Sequence, residues 1–446
     1  MNALRTLLLG LVLPAIFPVK AFGQDLVVDL SFNPGGTNFA GGLGVLTLAL
    51  QPDGKILCGG FYQVYNGVPR TGICRLHPDG TLDLPFDPVL NSSACPAVFV
   101  QTNGHILIGG GFTVVDGELH TGLARLDPFG NVDQSFLSQA AGKFHTVAVA
   151  PNGRVFGGGT ISSPMAGYVV LYADGGLNTQ PPVSSADQQV LQPDGRILVG
   201  SRDWPYLFRM EQDGFLDPTF SSSITTAFDG VLALHLMADG RAMIGGGFSA
   251  VDGQPRSRIA RVSSTGSLDP SFDPGTGFDQ DVTAIEELPD GDLLVAGWFT
   301  SYNGVALNGS LVRLAPDGAL VTSYAASNIL DIQLQPDGKV LLSGGVISFN
   351  GTQRSGIMRL MPDPGTGMSE AALGALKVWP NPVSHVLHLA GIEGPYRYVV
   401  LDGMGRTVLT GSGAGTALYA GTLPVGAYTL EVRDARGVRR ARIIKA

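Results

Sequence analysis

The sequence predicts an all-β protein built from short repeats. Gly occurs 63 times and Pro 29 times among the 446 residues, whereas only 15% of the residues are charged. This composition is typical of a turn-dense fold with many buried strands. The apolar fraction of 44% is too high for a disordered chain, and no helical period of useful length occurs. The decisive feature is a turn that recurs along the chain with a nearly constant spacing.

Two interleaved turns define seven repeats. The first turn stands at Asp53-Gly54, Asn103-Gly104, Asn152-Gly153, Asp194-Gly195, Asp239-Gly240, Asp290-Gly291 and Asp337-Gly338. Its glycines lie 42 to 51 residues apart, a spacing typical of propeller blades. The second turn stands at Asp79-Gly80, Gly130, Asp174-Gly175, Asp213-Gly214, Gly266, Asp317-Gly318 and Asp363. We therefore expect a seven-bladed β-propeller.

Each repeat is predicted to form four short strands. In the first repeat they are residues 45–50, 56–62, 72–76 and 82–86, separated by Asp-Gly and Asn-Gly pairs. Such pairs predict type I′ hairpin turns, in which both central residues take positive φ. Both faces of such a sheet carry apolar side chains, so one repeat must stack against its neighbours.

The N-terminal segment is predicted to close the ring. The last strand of a repeat carries an Asp-x-x-Phe pattern, as at Asp83–Phe86, Asp133–Phe136, Asp217–Phe220 and Asp269–Phe272. This strand is missing after the seventh second turn, but the same pattern occurs at Asp29–Phe32. We infer that the N-terminal strand completes the last blade and removes its exposed edge.

An arginine recurs at one position of the repeat. It is present in six repeats, at Arg75, Arg125, Arg209, Arg261, Arg313 and Arg359, and Val170 replaces it in the third. One interpretation is a ring of ligand contacts. The interpretation that we favour is structural, with each arginine paired to an aspartate of the Asp-x-x-Phe pattern, because a feature shared by all blades belongs to the scaffold.

The first repeat, from Gln51 to Gly80, combines Gln-Pro-Asp-Gly-Lys-Ile-Leu, Gly-Gly-Phe, Asn-Gly and Arg-Leu-x-x-Asp-Gly. In these motifs the chain resembles the delta-60 repeat family of bacterial β-propellers, over about residues 25–365. Residues 160–170 and 201–209 of the third and fourth repeats lack the Asn-Gly hairpin of that pattern. The resemblance implies a propeller in an extracellular setting, and it implies no particular chemistry.

The first 23 residues have the features of a secretory signal peptide. Arg5 supplies a positive charge, residues 7–17 form an apolar segment, and Ala21-Phe22-Gly23 offers small residues at a cleavage site. We expect cleavage between Gly23 and Gln24. The residue after the cut is not Cys, which disfavours a lipid anchor, and no later apolar run is long enough to span a membrane.

A second domain is expected at residues 373–446, after a propeller domain at 24–368. Frequent turns between short alternating strands predict a small Ig-like β-sandwich. Its motifs resemble the type A sorting domain of the type IX secretion system of Bacteroidetes. The residues that carry this resemblance include Pro380, Asn381, Pro382, Asp402, Gly405, Gly426 and Tyr428. The resemblance implies the type IX secretion machinery as a partner, passage across the outer membrane, and display on the cell surface or release. The alternative is an ordinary adhesive sandwich.

No catalytic or cofactor motif is present in the sequence. It has no nucleophile elbow, zinc-protease helix motif or P-loop, and we expect no cofactor and no metal. A net charge of -9 argues against a nucleic-acid partner. Cys58, Cys74 and Cys95 are too few and too irregularly spaced for a disulfide framework, and we interpret them as buried apolar residues. The carboxylate pairs Asp279/Asp281 and Asp290/Asp292 leave weak cation binding open.

The candidate binding site lies where the repeat pattern breaks. In the fourth repeat, Arg202, Asp203, Trp204 and Tyr206 replace the standard hairpin. Two aromatic residues beside opposite charges can stack on a sugar or anchor a protein, or they can fill a shortened blade. We therefore expect a non-catalytic glycan- or protein-binding module. The alternatives are a carbohydrate-active enzyme, such as a polysaccharide lyase or glycosidase, and a structural coat component.

Overall fold

The computed structural model contains only β-structure in the residues that it describes. These are residues 26–32, 39–40, 43–163, 167–363, 376–390, 396–401, 407–413, 417–434 and 437–445. The chain divides into two compact parts after Pro362. No helix long and apolar enough to cross a membrane occurs in the described ranges.

The strands of the first part follow the predicted repeats. The N-terminal strand β1 (Leu26–Val28) precedes the first repeat. Repeats one to three contain β2 (Phe39–Ala40), β3 (Gly44–Leu50), β4 (Ile56–Phe61), β5 (Val64–Tyr65), β6 (Val68–Pro69), β7 (Ile73–Leu76), β8 (Ala97–Val100), β9 (Ile106–Gly109), β10 (Val114–Val115), β11 (Glu118–Leu119), β12 (Leu123–Leu126), β13 (Ala141–Val149), β14 (Val155–Ser163), β15 (Val169–Leu171) and β16 (Leu177–Thr179). Repeats four to seven contain β17 (Gln188–Leu191), β18 (Ile197–Gly200), β19 (Leu207–Met210), β20 (Ile224–Leu236), β21 (Ala242–Val251), β22 (Gln254–Pro255), β23 (Ile259–Val262), β24 (Val282–Glu287), β25 (Leu293–Gly297), β26 (Ser301–Tyr302), β27 (Val305–Ala306), β28 (Leu311–Leu314), β29 (Leu320–Tyr324), β30 (Ala326–Leu334), β31 (Val340–Phe349) and β32 (Thr352–Pro362).

Each repeat forms an antiparallel sheet whose first strand lies beside the first strands of its neighbours. The sheet orders include β3-β4-β7, β8-β9-β12, β13-β14-β15-β16 and β24-β25-β28-β29. The first strands β3, β8, β13, β17, β20, β24 and β30 contact one another in sequence, and β30 also contacts β3. These contacts form a closed circuit, and we call these strands the innermost strands.

The hydrophobic cores lie between neighbouring sheets. Leu57 and Ile73 of the first repeat share a core with Ile106 of the second. On the opposite face of the first sheet, Cys58 shares a core with Leu341 of the last repeat. No repeat therefore buries its apolar side chains without both neighbours, as expected for a stacked repeat.

The N-terminal strand completes the last sheet, which confirms the predicted closure. β1 pairs antiparallel with β32, and Val27 lies opposite Met361. The paired residues directly precede the Asp-x-x-Phe pattern, whereas the pattern itself forms a turn. The Asp29 N–H continues the ladder by donating to the Arg359 carbonyl at 2.9 Å.

Two local predictions were wrong. The Asn66-Gly67 turn has positive φ at both residues, as type I′ requires, but at Asp53-Gly54 only the glycine has positive φ. Asp53 instead accepts the Lys55 N–H through its carboxylate. The fourth strand of the first repeat is reduced to one bridge, between Leu76 and Leu82. The Asp-x-x-Phe segment after this bridge is a turn, in which the Phe86 N–H donates to the Asp83 carbonyl at 3.1 Å.

The second part contains two antiparallel sheets. Its strands are β33 (Lys377–Trp379), β34 (Val386–Ala390), β35 (Tyr396–Leu401), β36 (Thr407–Gly413), β37 (Ala417–Tyr419), β38 (Gly426–Asp434) and β39 (Gly437–Lys445). The sheet orders are β33-β34-β37 and β36-β35-β38-β39. Leu387 and Leu389 of the first sheet share one core with Val400 and Leu430 of the second.

Candidate functional site

The connection after β18 exposes one of its two aromatic residues. Trp204 is 75% exposed, and Arg202 and Asp203 are exposed beside it. Tyr206 is partly buried and packs against the core between the fourth and fifth repeats. The two interpretations of this segment therefore apply to different residues, because Tyr206 fills the shortened blade while Trp204 projects into solvent.

Side chains from the preceding connection hold this loop in place. The Arg202 backbone N–H and its Nε donate to the two carboxylate oxygens of Asp187, at 2.8 and 2.9 Å. The Asp203 carboxylate accepts the Ser185 hydroxyl at 3.1 Å. Trp204 thus lies on a loop that is held by several hydrogen bonds, although the indole ring itself does not pack in the core.

A second exposed tryptophan lies at the same end of the ring. Trp298 is 58% exposed and directly follows β25, the second strand of the sixth sheet. The Trp204 loop follows β18, the second strand of the fourth sheet, so both side chains lie on the face that carries these connections. We call Arg202, Asp203, Trp204 and Trp298 the tryptophan face.

The innermost strands carry a polar cluster that the sequence prediction missed. His235 lies 3.4 Å from a Glu286 carboxylate oxygen and 3.9 Å from one of Glu287. Glu286 also accepts the Leu334 N–H of the next repeat at 3.3 Å. The cluster therefore links the fifth, sixth and seventh repeats, and its side chains are 13 to 24% exposed.

Asp331 extends this cluster to the first repeat. Its carboxylate accepts the Leu48 N–H at 2.9 Å, across the junction where the ring closes. Burial raises the pKa of Asp331 to about 7, and the charge of Glu286 acts in the same direction. A carboxyl group with such a pKa beside a second carboxylate is suited to general acid catalysis.

The sequence does contain a pattern that predicts this cluster, and it is found by comparing the same position in all seven repeats. The position five residues before the first-turn glycine is apolar in the first four repeats and polar in the last three. Its occupants are Ala49, Phe99, Ala148, Val190, His235, Glu286 and Gln333. A polar residue confined to part of the ring indicates a local role, whereas a residue common to all repeats indicates the scaffold.

The recurring arginines form scaffold pairs with the aspartates, as we favoured. The nitrogen-to-carboxylate distances are 2.7 Å for Arg75–Asp83, 2.7 Å for Arg125–Asp133, 2.6 Å for Arg209–Asp217, 2.8 Å for Arg261–Asp269 and 2.9 Å for Arg359–Asp29. Each of these guanidinium groups also lies over the phenylalanine of the same pattern, at 4.4 to 5.5 Å from the ring centroid. The charges of these arginines and aspartates thus neutralise each other within the fold.

The same arginines also bind the next repeat. Their second nitrogen donates to a carbonyl of the following second turn, namely that of Pro128, Ala173, Ser264, Pro316 and, from Arg359, Pro78. The last of these links joins the seventh repeat to the first. In the third repeat, where Val170 replaces the arginine, Arg154 donates to the corresponding Gln212 carbonyl at 3.0 Å.

The other candidate groups take part in local contacts. Arg313 departs from the pattern and binds Asp290 and Asp292, one of the two carboxylate pairs considered for a cation. In the other pair, Asp279 accepts hydrogen bonds from Thr300 and Ser301. No group of three or more His, Cys, Asp or Glu suited to a metal occurs among the described residues.

The three cysteines are free and buried, as predicted. Burial raises the pKa of the Cys95 thiol to about 12 and that of Cys58 well above its ordinary value. The reactive form of cysteine is the thiolate, so the Cys58 and Cys95 thiols are poorly reactive at neutral pH. They act as small apolar residues in the cores between sheets.

The described sorting-motif residues meet at the last strand. The Asn381 side-chain oxygen accepts the Ile444 N–H at 2.7 Å, Gly426 lies opposite Lys445, and Tyr428 lies opposite Ile443. Pro380 and Pro382 flank Asn381 and are exposed. Asp402 and Gly405 of the motif, and Gly23 and Gln24 of the cleavage site, lie outside the described residues.

Comparisons with known proteins agree with the repeat architecture. Six segments match the family described as a domain of unknown function (DUF5122) beta-propeller, at residues 51–86, 101–136, 192–220, 238–272, 288–323 and 335–363. None of these segments lies in the third repeat, where the pattern departs from its neighbours. A search of curated proteins finds no match.

One solved structure shares the fold at low sequence identity, and others match less well. A streptogramin B lyase structure matches with 14% identity and a TM-score of 0.50, over 77% of this chain and 99% of that chain. PorZ, a surface component of the type-IX secretion system of Porphyromonas gingivalis, matches with 13% identity and a TM-score of 0.44, over 91% of this chain and 60% of PorZ. The extracellular domain of the hybrid two component system BT3049 from B. thetaiotaomicron matches with 11% identity and a TM-score of 0.44, over 92% of this chain and 57% of that chain.

The chain thus spans less than two thirds of the length of PorZ and of the BT3049 domain. At these identities the similarity concerns the fold and not the activity. The repeat matches and the closed circuit of sheets agree with each other. The chain is a β-propeller protein.

Proposed function

We propose that this chain is an exported seven-bladed propeller that binds a glycan or protein ligand through its tryptophan face. The closed circuit of seven innermost strands supports the blade number. The ring acts as a rigid, non-catalytic scaffold, and the ligand is recognised where the connections differ from the repeat pattern. A flat aromatic ring beside an arginine and an aspartate is the usual arrangement for stacking on a sugar and binding its hydroxyl groups.

The observation that carries this proposal is the 75% exposure of Trp204 on a loop held by hydrogen bonds. An indole in a mobile loop loses conformational freedom on binding, whereas a braced one is already ordered. Its exposed ring contributes little to the stability of the free fold. In this proposal, the Trp204 ring contributes to the free energy of ligand binding instead.

Replacement of Trp204 by Ala tests the proposal. We expect the purified chain to bind at least one glycan on an array, and W204A to bind it at least about tenfold more weakly, because the stacking surface is lost. Phe215→Ala is the control, since Phe215 is also exposed, at 62%, but follows the second turn of the same repeat. Equal binding by W204A, or no glycan or protein ligand for the parent chain, would overturn the proposal.

We also propose that residues 373–446 are an Ig-like sandwich that serves as a type A sorting domain. Asn381, Gly426 and Tyr428 lie far apart in the sequence but all contact β39, and Tyr428 is buried in the core of this part, which supports a role of these residues in one folded domain. In this proposal the type IX machinery recognises the folded domain, and residues 1–23 direct the chain to the periplasm first. A chain without residues 373–446 should accumulate in the periplasm. Unchanged surface display would refute the assignment.

A carbohydrate-active enzyme is the second candidate, and the innermost cluster favours it. Asp331 supplies a carboxyl group with a pKa of about 7, and Glu286 supplies a second carboxylate near it. A glycosidase requires an acid and a base or nucleophile of this kind. Assays for new reducing ends or unsaturated products on polysaccharides test this candidate. Turnover that Glu286→Gln abolishes would establish it, whereas absence of turnover favours the binding module.

A further inference from the structure

A cavity of about 460 Å³ lies at the sixth repeat, and its lining includes no residue of the tryptophan face or of the innermost cluster. The hairpin β26–β27 and the second turn form its sides, and Ser271 and Asp273 of the fifth repeat close it. Its walls include the carboxylates of Asp273 and Asp317, the ring of Tyr302, and the aliphatic groups of Val305 and Leu320. Its volume falls within the range of small-molecule sites.

The cavity carries negative charge that the fold leaves nearly uncompensated. Asp317 accepts the Ala319 N–H at 3.0 Å, and no basic side chain of the described residues forms an ion pair with it. Asp273 is 68% exposed, and Arg256 approaches it only to 3.9 Å. A pair of carboxylates with a single cation at this distance retains net negative charge, which attracts a cationic ligand.

The first repeat shows what neutralises the corresponding carboxylate. Asp87 follows Phe86 as Asp273 follows Phe272, and Arg70 binds Asp87 at 2.9 Å. The ion pair of the first repeat is therefore loosened by 1.0 Å in the fifth, from 2.9 to 3.9 Å. This loosening leaves the Asp273 carboxylate available to a ligand.

The charges of both carboxylates act on Tyr302, which lines the cavity. Burial raises its pKa well above the ordinary value, and the charges of Asp273 and Asp317 raise it further. The Tyr302 hydroxyl donates to the Gly318 carbonyl at 2.6 Å, so the ring is a fixed and neutral wall. Val305, which is 56% exposed, adds an apolar edge.

We propose that this cavity binds a primary alkylammonium group, in particular the lysine side chain of a peptide partner. The ammonium group lies between the Asp273 and Asp317 carboxylates and donates to both. Its aliphatic stem packs on Val305 and Leu320, as lysine stems pack on apolar surface in proteins. The site is independent of the glycan ligand proposed above.

Saturation-transfer NMR with Nα-acetyl-lysine methylamide tests this proposal on the full chain. We expect a dissociation constant on the order of millimolar, with the strongest transfer at the protons next to the ammonium group. The matching norleucine derivative, which lacks the charge, should show no saturable transfer. The double variant Asp273→Asn/Asp317→Asn should weaken lysine binding by at least about tenfold.

The design separates loss of the site from loss of the fold. An asparagine side chain retains an oxygen that accepts the Ala319 N–H, so an unchanged Tm is expected for the double variant. Asp213→Asn is the matched control, because Asp213 holds the equivalent turn of the fourth repeat by accepting the Phe215 N–H at 3.1 Å. Equal binding of the norleucine derivative, or unchanged binding in the double variant, overturns the proposal. Displacement of lysine by micromolar Ca²⁺ also overturns it, in favour of a metal site.

Discussion

A buried arginine such as Arg209 is stable in this fold because three groups share its charge. Its guanidinium donates to Asp217, lies 5.0 Å from the Phe220 ring centroid, and donates to a carbonyl of the next repeat. The side chains of Arg209 and Asp217 are 5% and 0% exposed. Burial of a charged group is tolerated in the folded state only when its partners compensate for the lost hydration.

Loss of the aspartate should therefore be costly. We expect Asp217→Ala to lower the free energy of unfolding by about 3–5 kcal/mol, because Arg209 stays buried without its counter-charge. Urea denaturation of parent and variant measures this difference. Asp213→Ala, in the exposed turn of the same repeat, should cost less than about 1 kcal/mol. Similar costs for the two variants would show that the arginine network does not hold the repeats together.

The strands of the repeats could be predicted from the sequence, but the ends of several could not. Short apolar runs bounded by turns placed β4 and β7 correctly, because burial of both sheet faces requires buried residues at successive positions. The predicted fourth strand failed at Asp83, because the Phe86 N–H donates to the Asp83 carbonyl and closes a turn there. The carboxylate of Asp83 binds Arg75 at the same point. Sequence spacing does not reveal this turn.

The candidate sites were predictable to different extents. Trp204 was found because the fourth repeat breaks the pattern there, although its exposure depends on Asp187, which belongs to another segment. The contact of Glu286 with His235 was missed, because it joins innermost strands of different repeats. Only the ring geometry brings these side chains together.

Burial of Asp331 on the innermost strand β30 should give the protein an unusual pH dependence. The pKa of Asp331 is about 7 in the folded chain and about 4 when unfolded, so the folded state binds more protons between these values. Its stabilising contribution is fully present below pH 4 and is lost as the pH rises through 7. Asp331→Asn removes this contribution at all pH values.

Chemical denaturation at pH 5 and pH 8 measures this effect. The fall in unfolding free energy over this interval should be about 2–3 kcal/mol larger for the parent chain than for Asp331→Asn. Asp337→Asn, in the exposed first turn of the same repeat, is the control and should keep the parent pH dependence. An identical pH profile for parent and Asp331→Asn would contradict the assigned pKa.

At the scale of the whole molecule, the ring is closed by contacts between the two ends of the propeller sequence. β1 pairs with β32, Asp29 binds Arg359, and Arg359 donates onward to the Pro78 carbonyl of the first repeat. These contacts join the last repeat to the first in the same way that neighbouring repeats are joined elsewhere in the ring. The closure pairs the edge of β32 with β1, and pairing of a strand edge protects it against edge-to-edge association.

An engineered disulfide between Val27→Cys and Met361→Cys tests this closure most directly. The two residues lie opposite each other in the β1–β32 ladder, and facing residues of an antiparallel pair are within disulfide reach. We predict that the bond forms in the folded protein under mild oxidation, as peptide mapping shows, and that it raises Tm, because it joins ends separated by most of the propeller sequence. A control pair, Val27→Cys with Leu191→Cys on the innermost strand of the fourth repeat, should not form. Failure of the Val27–Met361 pair to cross-link, or a cross-link without a gain in Tm, would contradict the closed ring.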